Sequence, residues 1–317
     1  MKLASAIYRN IATAAALQRK ASTVFRNHIA PCFVSFKPPE QRGYEIETDN
    51  CPRSALVAPR SLTVNDLNNP HIRTFFFSID QITNVFPEVE KAFSKTLRLF
   101  DKEGRDIASG VLISNEGHVL TCAHVIRWLK EDDPNEPLEM GDELSKAVYG
   151  IGHKINYKPS EIKLVYTGQW KEYIETINEK VEKRIKYDPD IAIVQIPALS
   201  NQGYIDLATS PIEDITDLMN TPYFQLGCPR IMGSSLYVST GFITRLGTSP
   251  LGPNTGIDIV SNAEGRPGNS GGPLVNKEGN LVGIHHSRYD KDGQGVATPV
   301  MEGSNVYELA SLDQYFQ

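Results

Sequence analysis

Short apolar runs separated by polar, glycine-bearing turns dominate the chain from about residue 88. "SKTLRLFDKEGRDIASGVLISNEGHVLTCAHVI" (94–126) reads as strand, turn, strand, turn, strand, with "KEG" and "NEG" as the turns and Val, Ile and Leu filling the runs. The pattern recurs in "KLVYTG" (163–168), "DIAIVQI" (190–196), "YFQLG" (223–227), "SLYVSTGFITRLG" (235–247), "GIDIVSN" (256–262), "PLVNKEGNLVGIHHS" (273–287) and "GVATPV" (295–300). Many short strands between Gly, Pro, Asn and Asp clusters, without regular intervening helices, predict an all-β antiparallel barrel or sandwich. One stretch departs from this. In residues 169–186, Trp170, Tyr173, Ile177, Val181 and Ile185 recur at helical spacing among charged positions, which predicts an inserted helix. "NVYELASLDQYF" (305–316) predicts a C-terminal helix.

Upstream the pattern dissolves. Residues 38–87 are rich in proline and polar clusters and read as an irregular arm or linker, in which "TFFFSID" (74–80) is a short candidate strand. Residues 1–39 hold six cations (Lys2, Arg9, Arg19, Lys20, Arg26, Lys37) and no acid, so the net charge of −6 divides into +6 there and −12 in the remainder. Leu3, Ile7, Ile11, Ala14 and Leu17 would share one face of a helix. An acid-free, amphipathic, Ala/Ser-rich basic segment has the composition of an organellar transit peptide, so residues 1–37 are read as one, with the mitochondrion as destination ahead of a plastid or the cytoplasm. A plain basic tail is the alternative. No apolar run has the length of a membrane span. The acidic balance argues against nucleic acid as the main partner. Cys32, Cys51, Cys122 and Cys228 are widely spaced, which suits neither a disulfide framework nor a zinc site.

The densest chemistry lies in "GRPGNSGGPLV" (265–275), where Gly268-Asn269-Ser270-Gly271-Gly272 fits G-x-S-x-G. That pattern suits a strand-to-helix nucleophile elbow, a loop of a β-barrel protease, or a glycine-rich turn that happens to hold a serine. The elbow reading fails locally, because the segment after Gly272 opens with Pro273 and continues as two strands around "KEGN". Chain order also counts against it: His285 and His286 lie only one hairpin downstream, with Glu278 as the sole intervening acid. The order His, Asp, Ser is filled instead. His124 ends an apolar strand, and Asp190 begins a buried-looking one, with Asp188 as a close competitor. A serine hydroxyl needs a histidine to take its proton, an acid to fix the tautomer, and N–H donors for the oxyanion. Glycines offer such N–H groups unobstructed.

"SGVLISNEGHVLTCAHVI", "DPDIAIVQI", "PGNSGGPLVNKEGNLVGIHH" and "GVATPV", in this order across roughly residues 88–310, resemble the trypsin-like serine peptidases, and more narrowly their HtrA/Deg-like branch. The resemblance implies a chymotrypsin-like fold of two antiparallel six-stranded β-barrels in residues 88–317, divided near 200–222. It implies His124 as general base, Asp190 as its orienting acid, Ser270 as nucleophile, and the N–H groups of Gly268 and Ser270 as the oxyanion hole. The expected activity is peptide-bond hydrolysis on polypeptide substrates, in mitochondrial quality control or processing, without a cofactor. The alternative is a dormant protease fold acting as a binding or chaperone protein. No PDZ-like segment is recognisable after the match.

For specificity the resemblance points in two directions. Glu264 falls near the base of the S1 pocket, where a carboxylate would attract Lys or Arg. His285 falls where glutamyl endopeptidases of this fold hold a histidine for an acidic side chain, and Arg266 would assist. Cys122 reads as a small core residue and His118 as a turn or strand surface residue. His28, His71 and His153 have no companions at ligand spacing, so no metal site is expected.

Overall fold

The computed structural model describes residues 76–77, 86–100, 106–127, 137, 143–151, 154–177, 180–208, 221–229, 236–248, 257–288, 294–302 and 304–316. The chain divides into two units, Met1–Cys51 and Pro52–Gln317, and every described residue belongs to the second. The expected transit peptide (1–37) and most of the 38–87 arm lie outside the described residues.

Thirteen strands account for most of the described elements. In chain order they are β1 (Phe76–Phe77), β2 (Thr96–Phe100), β3 (Asp106–Leu112), β4 (His118–Thr121), β5 (Glu143–Ile151), β6 (Lys154–Ile177), β7 (Lys180–Gln195), β8 (Pro222–Gly227), β9 (Tyr237–Thr248), β10 (Ile257–Glu264), β11 (Pro273–Val275), β12 (Leu281–Arg288) and β13 (Gln294–Pro299). Three short helices accompany them: α1 (Glu88–Phe93), α2 (Ala123–Ile126) and α3 (Asn305–Leu309). Strands β2-β3-β4-β7-β6-β5 close into a barrel. The second sheet runs β1-β9-β10-β13-β12-β11-β8, and an additional β8–β9 pairing brings its last strand back to its second. Six of its strands therefore form a ring, all antiparallel, with β1 added on β9. The chymotrypsin-like pair of six-stranded barrels is the architecture observed.

Val, Ile and Leu fill both interiors because β-branched and apolar side chains fit a pleated, enclosed surface. Leu97, Leu99, Val111, Val119, Leu120, Ile191, Ile193 and Val194 belong to one large buried cluster, which continues through Phe224, Leu226 and Ile284 to Val306 and Leu312. A smaller cluster of Tyr223, Ile243, Ile259, Leu274, Val282, Ala297 and Met301 fills the second ring. The predicted C-terminal helix is present as α3 followed by a 3-10 turn at Leu312–Gln314, and Ser304 caps it by accepting from the Tyr307 N–H at 3.2 Å. Helix α1, which the strand pattern of this region did not suggest, buries Val89, Ala92 and Phe93.

The predicted inserted helix at 169–186 is wrong. These residues are the outer halves of β6 and β7, paired from Gln169↔Asp188 to Ile177↔Lys180, with residues 178 and 179 between them. The positions that recur at helical spacing also suit a strand: Trp170, Tyr173, Ile177, Val181 and Ile185 are β-branched or aromatic, as are Ile174, Thr176 and Tyr187 around them. Both segments continue strands already committed to the barrel, so pairing extends outward as a two-stranded ribbon. Cross-strand partners Trp170 and Tyr187 stand at its root, the first 40% exposed and the second buried.

Candidate active site

His124 lies on the single turn of α2, directly after β4. Asp190 lies in β7, which pairs with β4 through Thr121↔Ala192. Adjacent strands thus deliver the two side chains to one place. Nδ1 of His124 stands 2.6 Å from Asp190 Oδ2, and the His124 backbone N–H donates to Oδ1 at 2.9 Å. The carboxylate thereby receives two bonds from one residue, which fixes both the ring and the α2 turn. Asp190 makes this contact. Gly168 in β6 helps place it, because a Cβ there would overlap the Pro189 carbonyl just before Asp190.

The electrostatics come from the pairing. Burial works against charge on His124, but the charge of Asp190 and its hydrogen bond outweigh that and raise the imidazole pKa. Burial likewise opposes ionisation of Asp190, and the His124 charge and hydrogen bonds reverse it, so this carboxyl lies below its ordinary value. An ionised Asp190 accepting at Nδ1 keeps the proton there and leaves Nε2 as the basic nitrogen. The His124 side chain is 36% exposed and that of Asp190 8%, so the acid is enclosed while the base reaches solvent.

The glycine-rich loop precedes β11 and crosses to the first barrel. The Ser109 N–H of β3 donates to the Ser270 carbonyl at 2.9 Å, and the Ser109 hydroxyl donates to the Gly268 carbonyl at 2.8 Å. Gly271 N–H donates to the His285 carbonyl at 2.8 Å, and Cys122 Sγ approaches the same oxygen at 3.2 Å. That shared carbonyl ties the neighbour of Ser270 to the segment leading into His124. Within the loop, Asn269 N–H donates to Arg266 O and Gly272 N–H to Asn269 O. Among the described residues, the N–H groups of Gly268 and Ser270 alone in the run 268–272 make no backbone hydrogen bond. Gly268 (φ +100°) and Gly271 (φ +83°) adopt left-handed backbone that other residues rarely enter. Ser270 is half-buried.

Residues 108–284 match the family model described as "Trypsin-like peptidase domain". The chain belongs to the trypsin-like peptidase family. A curated relative, "Putative serine protease HhoB" of Synechocystis sp. (strain ATCC 27184 / PCC 6803 / Kazusa), is 26% identical over 66% of this chain and 41% of its own length. The chain thus spans about two fifths of that relative. Among solved structures, "HtrA-type protease AlgW with tripeptide" is 23% identical over 72% of this chain and 63% of that one, with TM-score 0.49. The serine endoprotease from Yersinia pestis is 21% identical over 72% of this chain and 65% of that one, with TM-score 0.45.

In this trypsin-like peptidase the remaining predicted site residues are dispersed around the loop. His285 in β12 is 3% exposed, and a Cβ on Gly265 would lie 2.9 Å from its Nε2. Burial, followed by the electrostatic influence of His286, His124 and Arg288, pushes its pKa down to about 3, so the imidazole is neutral. Arg266 is half-buried in the loop. Glu264 ends β10 opposite Gln294, and its side chain lies outside the described residues. On the other face of β12, His286 Nε2 stands 3.4 Å from Asp258 Oδ1, with both side chains almost fully enclosed.

Two residues play larger parts than their sequence suggested. Ser109 and Thr121 lie in the "SGVLISNEGHVLTCAHVI" block with no role assigned to them there; Thr121 Oγ1 donates to the Ser109 carbonyl at 2.8 Å, so both brace the loop. His118 is a correction: it is 8% exposed, its Nδ1 lies 2.7 Å from Ser114 Oγ, and its ring packs edge-on to Tyr315 at 4.8 Å. The C-terminal segment covers it, which a local pattern cannot reveal. Ligand atoms of Cys122, His124 and Asp190 lie within 4.8 Å of one another. The thiol is held protonated, because burial and the Asp190 charge push its pKa well up, whereas a metal ligand needs the thiolate.

Proposed function

We propose that the chain is a serine endopeptidase acting through an acyl-enzyme. Ser270 Oγ attacks the peptide carbonyl as its proton passes to His124 Nε2. The tetrahedral oxygen is received by the N–H groups of Gly268 and Ser270. His124 then protonates the leaving amine, and a water activated by the same nitrogen releases the acid product. Asp190 holds the ring and offsets its positive charge. The observation that carries this reading is the His124–Asp190 pair, bonded through Nδ1 so that Nε2 is basic, tied through His285 to a loop whose 268 and 270 N–H groups make no backbone hydrogen bond among the described residues.

Glu264, Arg266 and His285 are proposed to shape the S1 pocket. A neutral, enclosed His285 offers a hydrogen bond and not a charge, so any charge selection falls to the other two. A peptide-library cleavage profile decides between basic and acidic preference. Polypeptides are the substrate class, and mitochondrial quality control or processing is the proposed setting. Fusing residues 1–37 to a reporter tests the destination; a reporter that stays cytoplasmic removes it. No helix among the described residues is long and apolar enough to cross a membrane.

The deciding experiment is labelling with a fluorophosphonate. Labelling of the protein, lost in Ser270→Ala along with about 10⁵- to 10⁶-fold of kcat, supports the mechanism. A folded protein that neither labels nor cleaves is instead a dormant protease fold.

A further inference from the structure

Ser109 uses every polar atom it has. It is 0% exposed in β3 of the first barrel. Its hydroxyl accepts from the Cys228 N–H at 3.0 Å and donates to the Gly268 carbonyl at 2.8 Å. Its N–H donates to the Ser270 carbonyl at 2.9 Å, and its carbonyl accepts from Thr121 Oγ1 at 2.8 Å. A hydroxyl has one proton, and here the incoming Cys228 N–H leaves that proton directed at Gly268.

A trans peptide is rigid, and its C=O and N–H point in opposite directions. The plane joining 268 and 269 is bonded at both ends, by Ser109 Oγ at the carbonyl and by Arg266 O at the N–H. The plane joining 270 and 271 is likewise bonded at both ends, by Ser109 N–H and by the His285 carbonyl. Between them, the plane joining 269 and 270 has its carbonyl held by Gly272 N–H, which turns the Ser270 N–H the opposite way. Gly268, at φ +100°, has the conformational freedom to leave this arrangement, since glycine enters both signs of φ at little cost. Something outside the loop has to remove that freedom.

We propose that Ser109 is a positioning residue for the oxyanion hole: from the first barrel it bonds the planes joining 268 to 269 and 270 to 271, on either side of the plane that carries the Ser270 N–H, and so keeps that N–H presented. The backbone half of the clamp is available to any residue at 109. The hydroxyl half, on Gly268, is available to serine or threonine alone. The hole in the second barrel is then complete only while the first barrel is docked against it. Gly271 has no side chain for the same reason, because a Cβ there would overlap the Ser109 carbonyl and Thr121 Oγ1.

This assignment rests on Ser270 as the nucleophile, and the test separates the two. In Ser109→Ala, kcat falls about 10- to 100-fold, the scale of a misplaced or lost oxyanion donor. KM stays within about twofold, and the acid limb of the pH–rate profile does not move, because the His124–Asp190 bonds are untouched. Affinity for a peptide aldehyde, whose adduct oxygen occupies the hole, weakens with kcat, while affinity for the matching product acid does not. Ser109→Thr keeps the hydroxyl and recovers most of the loss. All measurements are made below each variant's own melting temperature. Unchanged kcat and aldehyde affinity in Ser109→Ala overturn the assignment, as does equal weakening of aldehyde and product. Absence of fluorophosphonate labelling in the unsubstituted protein overturns the nucleophile reading instead.

Discussion

His124 is subject to two opposing influences. Enclosure disfavours its cation, and the Asp190 carboxylate favours it, with the second prevailing. As the proposed base, His124 works only when deprotonated, so activity should rise with pH through a value above that of an ordinary imidazole. Asp190→Asn removes the charge and, with the amide oxygen kept on the His124 backbone N–H, sets an NH2 donor in place of the oxygen that accepts at Nδ1. The acid limb of kcat/KM should therefore shift to lower pH, while kcat falls by about 10⁴-fold because the tautomer is no longer fixed. A limb that stays in place while kcat falls would mean that Asp190 acts through geometry alone. The glycines of the serine loop differ in their tasks at this scale. Gly268 and Gly271 supply left-handed turns, whereas Gly272 lets the loop lie against the Leu226 carbonyl.

Among the elements, the β6–β7 ribbon is the least anchored. From Gln169↔Asp188 outward its strands pair with each other, and a two-stranded ribbon gains little stability by itself. Its root is different, since Gly168 packs on Pro189 beside Asp190. Replacing residues 171–186 by a two-residue turn should leave the melting temperature within a few degrees, with Ser270 still reactive toward the fluorophosphonate. A drop of more than about 10 °C, measured by calorimetry, would show that the ribbon supports the barrel. The ribbon also explains the mistaken helix. Spacing by three and four coexisted with β-branched, aromatic composition, and pairing of strands already started inside the barrel decided between them.

For the whole molecule, the relation between the two barrels governs the site. His124 and Asp190 come from the first, Ser270 and its loop from the second, and Ser109 joins them. The large hydrophobic cluster likewise runs from Leu97 and Leu120 into Phe224, Leu226 and Ile284, so the barrels share buried surface. Activity should accordingly disappear in urea at the first loss of either barrel. Cleavage and circular dichroism, measured on the same samples, should show activity lost no later than the earliest unfolding transition. Activity surviving such a transition would contradict a site divided between barrels.

The amino-acid order by itself marked most of the strands, because alternation and turn residues act locally, but not β5 or the outer halves of β6 and β7. It also singled out His124, Asp190 and Ser270 as candidates, because a strand that opens with proline excluded the helix an elbow needs, and the order of the three residues then matched a known family. Tertiary structure decided what depends on distant partners. The pairing of His124 with Asp190 is a 2.6 Å contact across 66 residues of chain. The surface reading of His118 failed because Tyr315 covers it. The family-like block contains Ser109, but its role is legible only once the loop 159 residues away is laid against it. Periodicity reports what each segment can become, and the long-range hydrogen bonds and burial that select among those outcomes exist only in the folded chain.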